Sequence, residues 1–245
     1  MTLRKPAHQT GFTLVEMAIV MIIFGVLLAA FLTPLQAQRN IAFQRETETL
    51  LAQANQALLG YAQANGRLPC PATNNGTAAF PDDTGTANPN ASGACVQSVG
   101  FLPAATLGLQ PADAQGFAVD AWNNRIRYAV TAANANAFTT SNAMNDLGMA
   151  ALTPDLRVCA TSTAADCTAA INLLNNAVAV IFSLGETGAQ ASGGADENAN
   201  LDVDTVFVSH DIAAAGAANG AFDHLVTWIS PYTLYNAMIQ AGQLH

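Results

Sequence analysis

The stretch GFTLVE, residues 11–16, lies at the boundary between a short basic leader and a long apolar segment. The leader carries Arg4 and Lys5 and no acid, whereas residues 12–35 contain a single ionisable side chain, that of Glu16. About 20 apolar residues are enough for a helix to cross a bilayer, so residues 12–35 predict a membrane-spanning helix. The positive charges of the leader predict that residues 1–11 stay in the cytoplasm.

Glu16 is an unusual residue for such a helix, because a carboxylate at bilayer depth costs about 2.5–3.5 kcal/mol on insertion scales. The junction of Gly11 and Phe12, followed by this acid, resembles the processing site of the type IV prepilin family, which includes the pseudopilins of type II secretion. The resemblance implies that a prepilin peptidase cuts between Gly11 and Phe12 and that the new N-terminus at Phe12 is methylated. We expect Glu16 to pair with the terminal ammonium of a neighbouring subunit, since a buried charge is tolerated when it is paired.

An ordinary secretory signal is the alternative interpretation of the same segment. A signal-peptidase site requires small residues in an A-x-A-like arrangement, and the chain offers only poor versions such as Leu35-Gln36-Ala37. A different class of function also remains open, namely a periplasmic binding module or an enzyme held by an uncleaved signal anchor.

The composition argues against nucleic acid as a partner. The 245-residue chain is 51% hydrophobic and only 10% charged, against a usual charged fraction of about a quarter. Its one lysine lies in the leader, and without residues 1–11 six arginines face seventeen acids, a formal net charge of −11. Nucleic acids are bound through basic groups that neutralise phosphates, so we predict no nucleic-acid partner.

The four cysteines all follow the apolar segment, which predicts an oxidising compartment such as the periplasm. Four cysteines allow three disulfide connectivities. Pairing between sequence neighbours, Cys70 with Cys95 and Cys159 with Cys167, is the simplest of them, because each pair brackets a turn-rich loop. Zinc ligation is the rival interpretation, but the chain has no C-x-x-C motif and few histidines.

The apolar pattern predicts one long helix followed by a domain of mixed structure. Beyond Pro34, apolar and small residues recur every three or four positions as far as Tyr61, which predicts an amphipathic helix. Asn65-Gly66 is a typical signal for its end. The pattern further predicts a hairpin at residues 120–131, strands at residues 177–184, 201–209 and 222–230, and a short helix at residues 232–242.

We therefore predict a leader of residues 1–11, a helix of residues 12–64 and a periplasmic globular domain of residues 65–245. The helix comprises a transmembrane half, residues 12–35, and an amphipathic half, residues 36–64. The fold class is α+β, with the long helix packed on a small antiparallel sheet in a pilin-like arrangement. We expect a single-pass inner-membrane protein that later becomes part of a periplasmic or surface filament.

Two segments of the domain add to the resemblance. DAWNNRIRY, which begins at Asp120, resembles the D-P-W-G-N-x-Y-x-Y stretch of pseudopilins, with Ala121 and Asn124 in place of the usual Pro and Gly. SLGETG, residues 183–188, resembles their S-L-G-A-D-G loop. The resemblance implies a structural, non-enzymatic subunit that assembles with other pilin or pseudopilin subunits, and it leaves the choice between a type IV pilus and type II secretion open.

An acidic stretch after this loop is a candidate calcium site, because calcium prefers six to eight oxygen ligands. The candidate ligands are Asp196, Asn198, Asn200, Asp202 and Asp204. The stretch opens like an EF-hand loop but has Leu201 and Phe207 where that loop needs Gly and Glu. Major pseudopilins bind calcium in the corresponding loop, so the resemblance favours calcium, and a solvated acidic loop is the alternative. No other cofactor is predicted.

The neighbours Ser209, His210 and Asp211 contain the residue types of a catalytic triad. The members of a triad are brought together by the fold and not by adjacency in sequence, and no G-x-S-x-G motif surrounds Ser209. We interpret the three residues as a polar turn.

Overall fold

The computed structural model describes residues 13–73, 84–89, 93–162, 167, 171–188 and 193–245. The predicted leader of residues 1–11, with the cleavage site at Gly11 and Phe12, lies outside this part. The chain divides into two compact units, Met1–Ala42 and Phe43–His245.

The described residues contain one long helix and a series of short helices and strands. In chain order these are α1 (Leu14–Asn65), β1 (Val99–Phe101), α2 (Ala104–Leu107), β2 (Arg127–Val130), α3 (Ala133–Asn136), α4 (Ala143–Leu147), a 3₁₀ turn (Met149–Ala151), β3 (Leu156–Cys159), β4 (Asn172–Ala177), β5 (Ala179–Ser183), α5 (Ala195–Leu201), β6 (Val206–Val208), β7 (Leu225–Ile229) and α6 (Pro231–Gln240).

Helix α1 corresponds to the helix that the sequence predicts for residues 12–64. It ends where Gly66 adopts a φ of 67° and its N–H donates to the carbonyl oxygen of Ala62 at 2.9 Å. A left-handed residue just beyond the last turn is a frequent helix terminator, and glycine adopts this conformation without a side-chain clash. The left-handed conformation of Gly66 therefore explains why helix α1 ends at Asn65-Gly66.

None of the helices in the described residues combines the length and the apolar character needed to cross a membrane. The transmembrane segment proposed for residues 12–35 stays a prediction.

The core on the helix side of the domain is built from the stripe that the helical spacing predicts. Leu50, Leu51, Ala54 and Leu58 are at most 5% exposed and belong to one cluster with Tyr128 of β2. Burial of a large aliphatic side chain contributes about 1.5–3 kcal/mol relative to exposure. This stripe therefore fixes the amphipathic part of α1 against the first sheet.

The first sheet has the strand order β1-β2-β5-β7 and is antiparallel throughout. Strand β5 is buried on both faces, because Ala179 and Ile181 contact the core around α1 whereas Val180 and Phe182 contact a second core. This double burial explains the uninterrupted apolar run of the strand, since neither face meets water. The prediction of a strand within residues 177–184 is confirmed.

The second sheet packs on the face of the first sheet that lies opposite α1. Its strand order is β4-β3-β6, with β3 and β4 antiparallel but β3 and β6 parallel. The prediction of one small antiparallel sheet is therefore incomplete. Strand β4 has the sequence NLLNNA, which contains too few apolar residues to be recognised as a strand from the sequence.

Two of the predicted strand segments differ from the structure. The hairpin at residues 120–131 keeps its turn, where Asn123 has a φ of 68°, and Val119 and Arg125 form an antiparallel bridge across it. Beyond this bridge its second arm, β2, pairs with β1 and β5. The strand at residues 201–209 is shortened to β6, because Leu201 ends helix α5 and residues 202–205 form a bend. All three residues of β6 are buried, so this strand has no solvent-facing side.

All four cysteines are paired, Cys70 with Cys95 and Cys159 with Cys167, which confirms the sequence-local connectivity. The Cα atoms of the two pairs lie 5.2 and 5.9 Å apart, within the usual range for disulfides. The sequence separations are 25 and 8 residues.

Replacement of either cysteine pair by serine should destabilise the domain, and the loss of stability should increase with the logarithm of the length of the loop that the bridge closes. The loop-entropy relation gives about 3.5 kcal/mol for Cys70–Cys95 and about 2.5 kcal/mol for Cys159–Cys167. Urea unfolding of the two double-serine variants beside the wild type measures the difference. As a control, alkylation of the denatured, unreduced wild type should label no cysteine. A larger loss of stability on removal of the Cys159–Cys167 bridge, which closes the shorter loop, would contradict the loop-entropy explanation.

Candidate functional site

The predicted assembly residue Glu16 lies in the first turn of α1, where it closes a capping box with Thr13. The Oε2 atom of Glu16 accepts hydrogen bonds from the Thr13 backbone N–H at 2.9 Å and from the Thr13 hydroxyl at 2.8 Å. In return, the Glu16 N–H donates to Thr13 Oγ1 at 3.3 Å. This reciprocal pair satisfies amide groups that a helix N-terminus leaves without partners. The T-x-x-E spacing before an apolar run is the sequence signal for this cap, and it was not among the predicted features.

The large apolar side chains of the first turns of α1 are exposed. Between Leu14 and Leu28 their exposed fractions run from 50% to 89%. A helix that is apolar on all sides is normally buried in a protein core or in lipid. This stretch therefore needs an apolar environment that the described part of the chain does not itself supply.

The two domain segments that resemble pseudopilin sequences meet at the buried side chain of Asp120. Its Oδ1 atom accepts hydrogen bonds from the N–H groups of Trp122 at 3.0 Å and Asn124 at 2.7 Å, and its Oδ2 atom accepts one from the Ser183 hydroxyl. The Asn124 side-chain amide then donates to the carbonyl oxygen of Gly185 at 2.7 Å. Asp120 thus ties the turn after β1 and α2 to the loop that follows β5.

Burial raises the pKa of Asp120, and the hydrogen bonds from Ser183, Asn124 and Trp122 offset only part of this effect. The folded chain therefore binds the Asp120 proton more tightly than the unfolded chain does. As the pH rises from the unfolded pKa through the folded pKa, the ionisation of Asp120 lowers the free energy of unfolding.

The substitution Asp120→Ala should lower the free energy of unfolding by about 3 kcal/mol, because the buried Ser183 hydroxyl and two part-buried N–H groups lose their acceptor, at roughly 1–3 kcal/mol for a buried donor. Asp120→Asn should cost less, since the amide oxygen still accepts hydrogen bonds, and it should abolish this part of the pH dependence. Urea unfolding at several pH values measures both effects.

Asp113→Ala is the matched control for this prediction. Asp113 also accepts two backbone N–H groups, from Gln115 and Phe117 at 3.0 Å each, but its side chain is 21% exposed. Water can replace its lost hydrogen bonds, so the destabilisation should be smaller. Equal losses at the two positions would contradict the importance that we give to burial at Asp120.

The acidic segment that suggested calcium is largely helical. Residues Ala195–Leu201 form α5, so the expectation of an open loop is wrong for this stretch. Because a helix repeats every 3.6 residues, Asp196 and Asn200 share its buried face while Asn198 is exposed. Asn200 is 1% exposed, and its amide exchanges two hydrogen bonds with the backbone of Val208, at 2.7 and 3.0 Å.

The carboxylate of Asp196 is also engaged by protein groups. It accepts hydrogen bonds from the N–H of Ser162 and from the side-chain amide of Asn219, and it lies 3.2 Å from Nε2 of His210. Burial alone would raise the pKa of Asp196, but the hydrogen bonds, with that from Ser162 foremost, hold it below its usual value. His210 therefore faces Asp196, and its Nδ1 contacts the backbone oxygen of Asp211 and not the Asp211 carboxylate.

The other three candidate calcium ligands, Asn198, Asp202 and Asp204, line one cavity of about 330 Å³. Asp202 Oδ1 accepts the N–H of Asp204 at 3.2 Å. Burial, together with the neighbouring Asp202, raises the pKa of Asp204 against the opposing hydrogen bond from the Val206 N–H. The structure therefore does not bring the five predicted ligands together, and calcium binding by the remaining three stays a prediction.

The structure also brings together Glu197, Asp223 and His224, which our sequence analysis did not connect. The acids are separated by 26 positions, and no local spacing links them. Such a group can be recognised only when the contact between α5 and the residues just before β7 is known.

Comparison with known proteins bears on the N-terminal segment. Residues 6–32 match the family model described as the prokaryotic N-terminal methylation motif. No curated protein and no solved structure is significantly similar to the chain. The matched segment contains Gly11, Phe12 and Glu16, is consistent with a type IV prepilin-like family, and does not distinguish a minor pilin from a pseudopilin.

Proposed function

We propose that this chain, which carries the prokaryotic N-terminal methylation motif, is a structural subunit of a type IV pilus-like or type II secretion pseudopilus filament. A prepilin peptidase cuts it after Gly11, and the new N-terminus at Phe12 is methylated. The observation that carries the proposal is the matched segment of residues 6–32, in which a basic leader, a Gly-Phe junction and the acid of Glu16 occur in that order.

The exposed apolar surface of α1 supports an anchoring and assembly role for residues 12–35. Before assembly this segment would lie in the inner membrane as a single pass, with residues 65–245 in the periplasm. After assembly the same surface would pack against the helices of other subunits, which provides the second apolar environment that such a helix needs. The two disulfides fit an oxidising periplasm.

Mass spectrometry of the membrane-extracted protein tests the processing step. We expect an N-terminus at methylated Phe12. The alternative, a periplasmic binding module or enzyme on an uncleaved anchor, predicts a start at Met1, and ordinary signal-peptidase cleavage predicts a start after Ala37. Either of these results would rule out the proposed maturation. The control variant Gly11→Val should keep its leader, because a branched side chain hinders the close approach of a protease to the scissile bond.

Glu16 allows the charge-pairing role to be separated from the capping role. Glu16→Gln keeps a side chain that can close the capping box but removes the charge, so under the pairing hypothesis it should fail to enter filaments. An unpaired buried charge costs about 3–5 kcal/mol, which corresponds to a loss of more than about a hundredfold in incorporation. Quantitative blotting of sheared filaments against the membrane fraction measures this loss.

Thr13→Ala is the matched control for Glu16→Gln, because it removes the cap and keeps the charge. It should retain incorporation, with a loss no larger than the roughly 0.5–2 kcal/mol of a helix cap. If Glu16→Gln assembles like the wild type while Thr13→Ala does not, Glu16 acts through the cap and the pairing hypothesis is wrong. The domain should stay folded in both variants, since Thr13 and Glu16 belong to the other compact unit.

A further inference from the structure

Glu197, Asp223 and His224 form a compact group between helix α5 and strand β7. One potential ligand atom of each residue lies within 4.8 Å of those of the other two. Glu197 and His224 are both 2% exposed, and Asp223 is half-buried. Because the chain contains no lysine or arginine beyond Arg157, the two carboxylates have no basic neighbour along their own part of the sequence.

Each of the three side chains is oriented by another group. Glu197 Oε1 accepts the N–H of Asp223 at 2.8 Å. The carboxylate of Asp223 accepts the N–H and the hydroxyl of Thr187, at 2.7 and 3.1 Å. The Nδ1 atom of His224 lies 3.2 Å from the side-chain nitrogen of Asn200. Hydrogen bonds of this kind on the two carboxylates are typical of metal ligands in proteins, whereas His224 accepts its hydrogen bond from Asn200.

The imidazole of His224 is neutral and incompletely satisfied. Burial lowers its pKa to about 4; the charge of Asp223 acts in the opposite direction, and the nearby charge of Arg127 adds to the effect of burial. Since Val208 fixes the Asn200 amide, Asn200 presents an N–H to Nδ1, which therefore carries a lone pair. The proton of the neutral ring is then on Nε2, which is buried and has no hydrogen-bond partner among the described residues, so a metal ion would bind Nδ1 in place of the Asn200 N–H. A neutral imidazole is the form that binds metal ions.

Two glycines leave room for the carboxylates. A Cβ atom on Gly193 would lie 2.1 Å from Oε2 of Glu197, and one on Gly185 would lie 2.7 Å from Oδ1 of Asp223. A side chain at either position would occupy the space that these two acids use. The local backbone therefore accommodates both carboxylates at close range.

The proximity of the two carboxylates has an electrostatic cost. Burial and the charge of Asp223 raise the pKa of Glu197, against the hydrogen bond from the Asp223 N–H. A buried acid and a half-buried acid at short range can lower this cost by sharing a proton or by binding a cation. A nitrogen ligand beside them favours a cation of the transition series over calcium, which prefers oxygen ligands throughout.

We propose that Glu197, Asp223 and His224 bind a divalent transition-metal ion, with Zn²⁺ as the representative case. Ligand atoms 4.8 Å apart lie about 2.8 Å from their common centre, and zinc takes N and O ligands at about 2.0–2.2 Å. Each atom needs to move by less than about 1 Å to reach an ion. The site shares no ligand with the predicted calcium set, and it does not depend on filament assembly.

The test uses the full chain in detergent, produced without a histidine tag and stripped of metal with a chelator. Calorimetric titration with Zn²⁺ should show one ion per chain, and Co²⁺ should give an absorption spectrum typical of mixed nitrogen and oxygen ligands. Glu197→Gln and His224→Gln should weaken binding by more than about a hundredfold, and Thr187→Val, which removes one orienting hydrogen bond from Asp223, by about tenfold.

Matched controls separate this site from other acids and histidines. His210→Gln and Asp202→Asn change the same residue types outside the group and should leave the Zn²⁺ affinity unchanged. Calcium in excess should not displace the zinc ion. Circular dichroism establishes that each variant is folded, and Thr187→Val serves as the second probe should His224→Gln fail to fold.

Two results would overturn the proposal. The first is a folded wild type that binds neither Zn²⁺ nor Co²⁺ at one ion per chain, in which case the two carboxylates share a proton. The second is an unchanged affinity in both His224→Gln and Thr187→Val, which would assign the bound ion to other residues.

Discussion

Strand β5 contributes Ala179 and Ile181 to the core beneath α1, and Val180 and Phe182 to the core beneath the second sheet. Both layers of the domain therefore depend on a strand that has no polar side chain until Ser183. That serine is buried, and it donates to Asp120 while it accepts the N–H of Gly185. The chain then leaves the sheet in the direction of Asp223.

The elements that the sequence predicted well are those with a strong local signal. Helix α1 has a long amphipathic repeat and a glycine stop at Gly66, and β5 has a continuous apolar run. The disulfides follow from local pairing. The failures have a common cause, because β4, β6 and α5 are short and obtain their stability from partners far away in sequence. Helix α5 is the clearest case, since Asp196 accepts the N–H of Ser162 and Glu197 accepts that of Asp223, 34 and 26 residues away, and these contacts stabilise a helix in an Asp- and Asn-rich segment.

The candidate sites show the same division. Gly11, Phe12 and Glu16 form a contiguous motif, which sequence reasoning can recognise without a fold, and the capping partner Thr13 was equally readable from its spacing to Glu16. The oxygen-bearing side chains of residues 196–204 occur at every second position in the sequence. In a helix, side chains two positions apart point to different sides, so two of the five predicted ligands face the protein interior. The group of Glu197, Asp223 and His224 is a product of tertiary contact alone.

The packing of α1 also sets the order of events when the domain folds. The amide of Asn55 donates to Thr227 and that of Gln63 to the carbonyl oxygen of Ala237, across separations of 172 and 174 residues. Ribosomal synthesis delivers α1 first and these partners much later. The apolar stripe of the helix must therefore remain without its sheet while nearly the whole domain is made. Contacts of such long range slow folding. Until the sheet has formed, the exposed apolar stripe of α1 is the part of the nascent chain that most needs protection from aggregation.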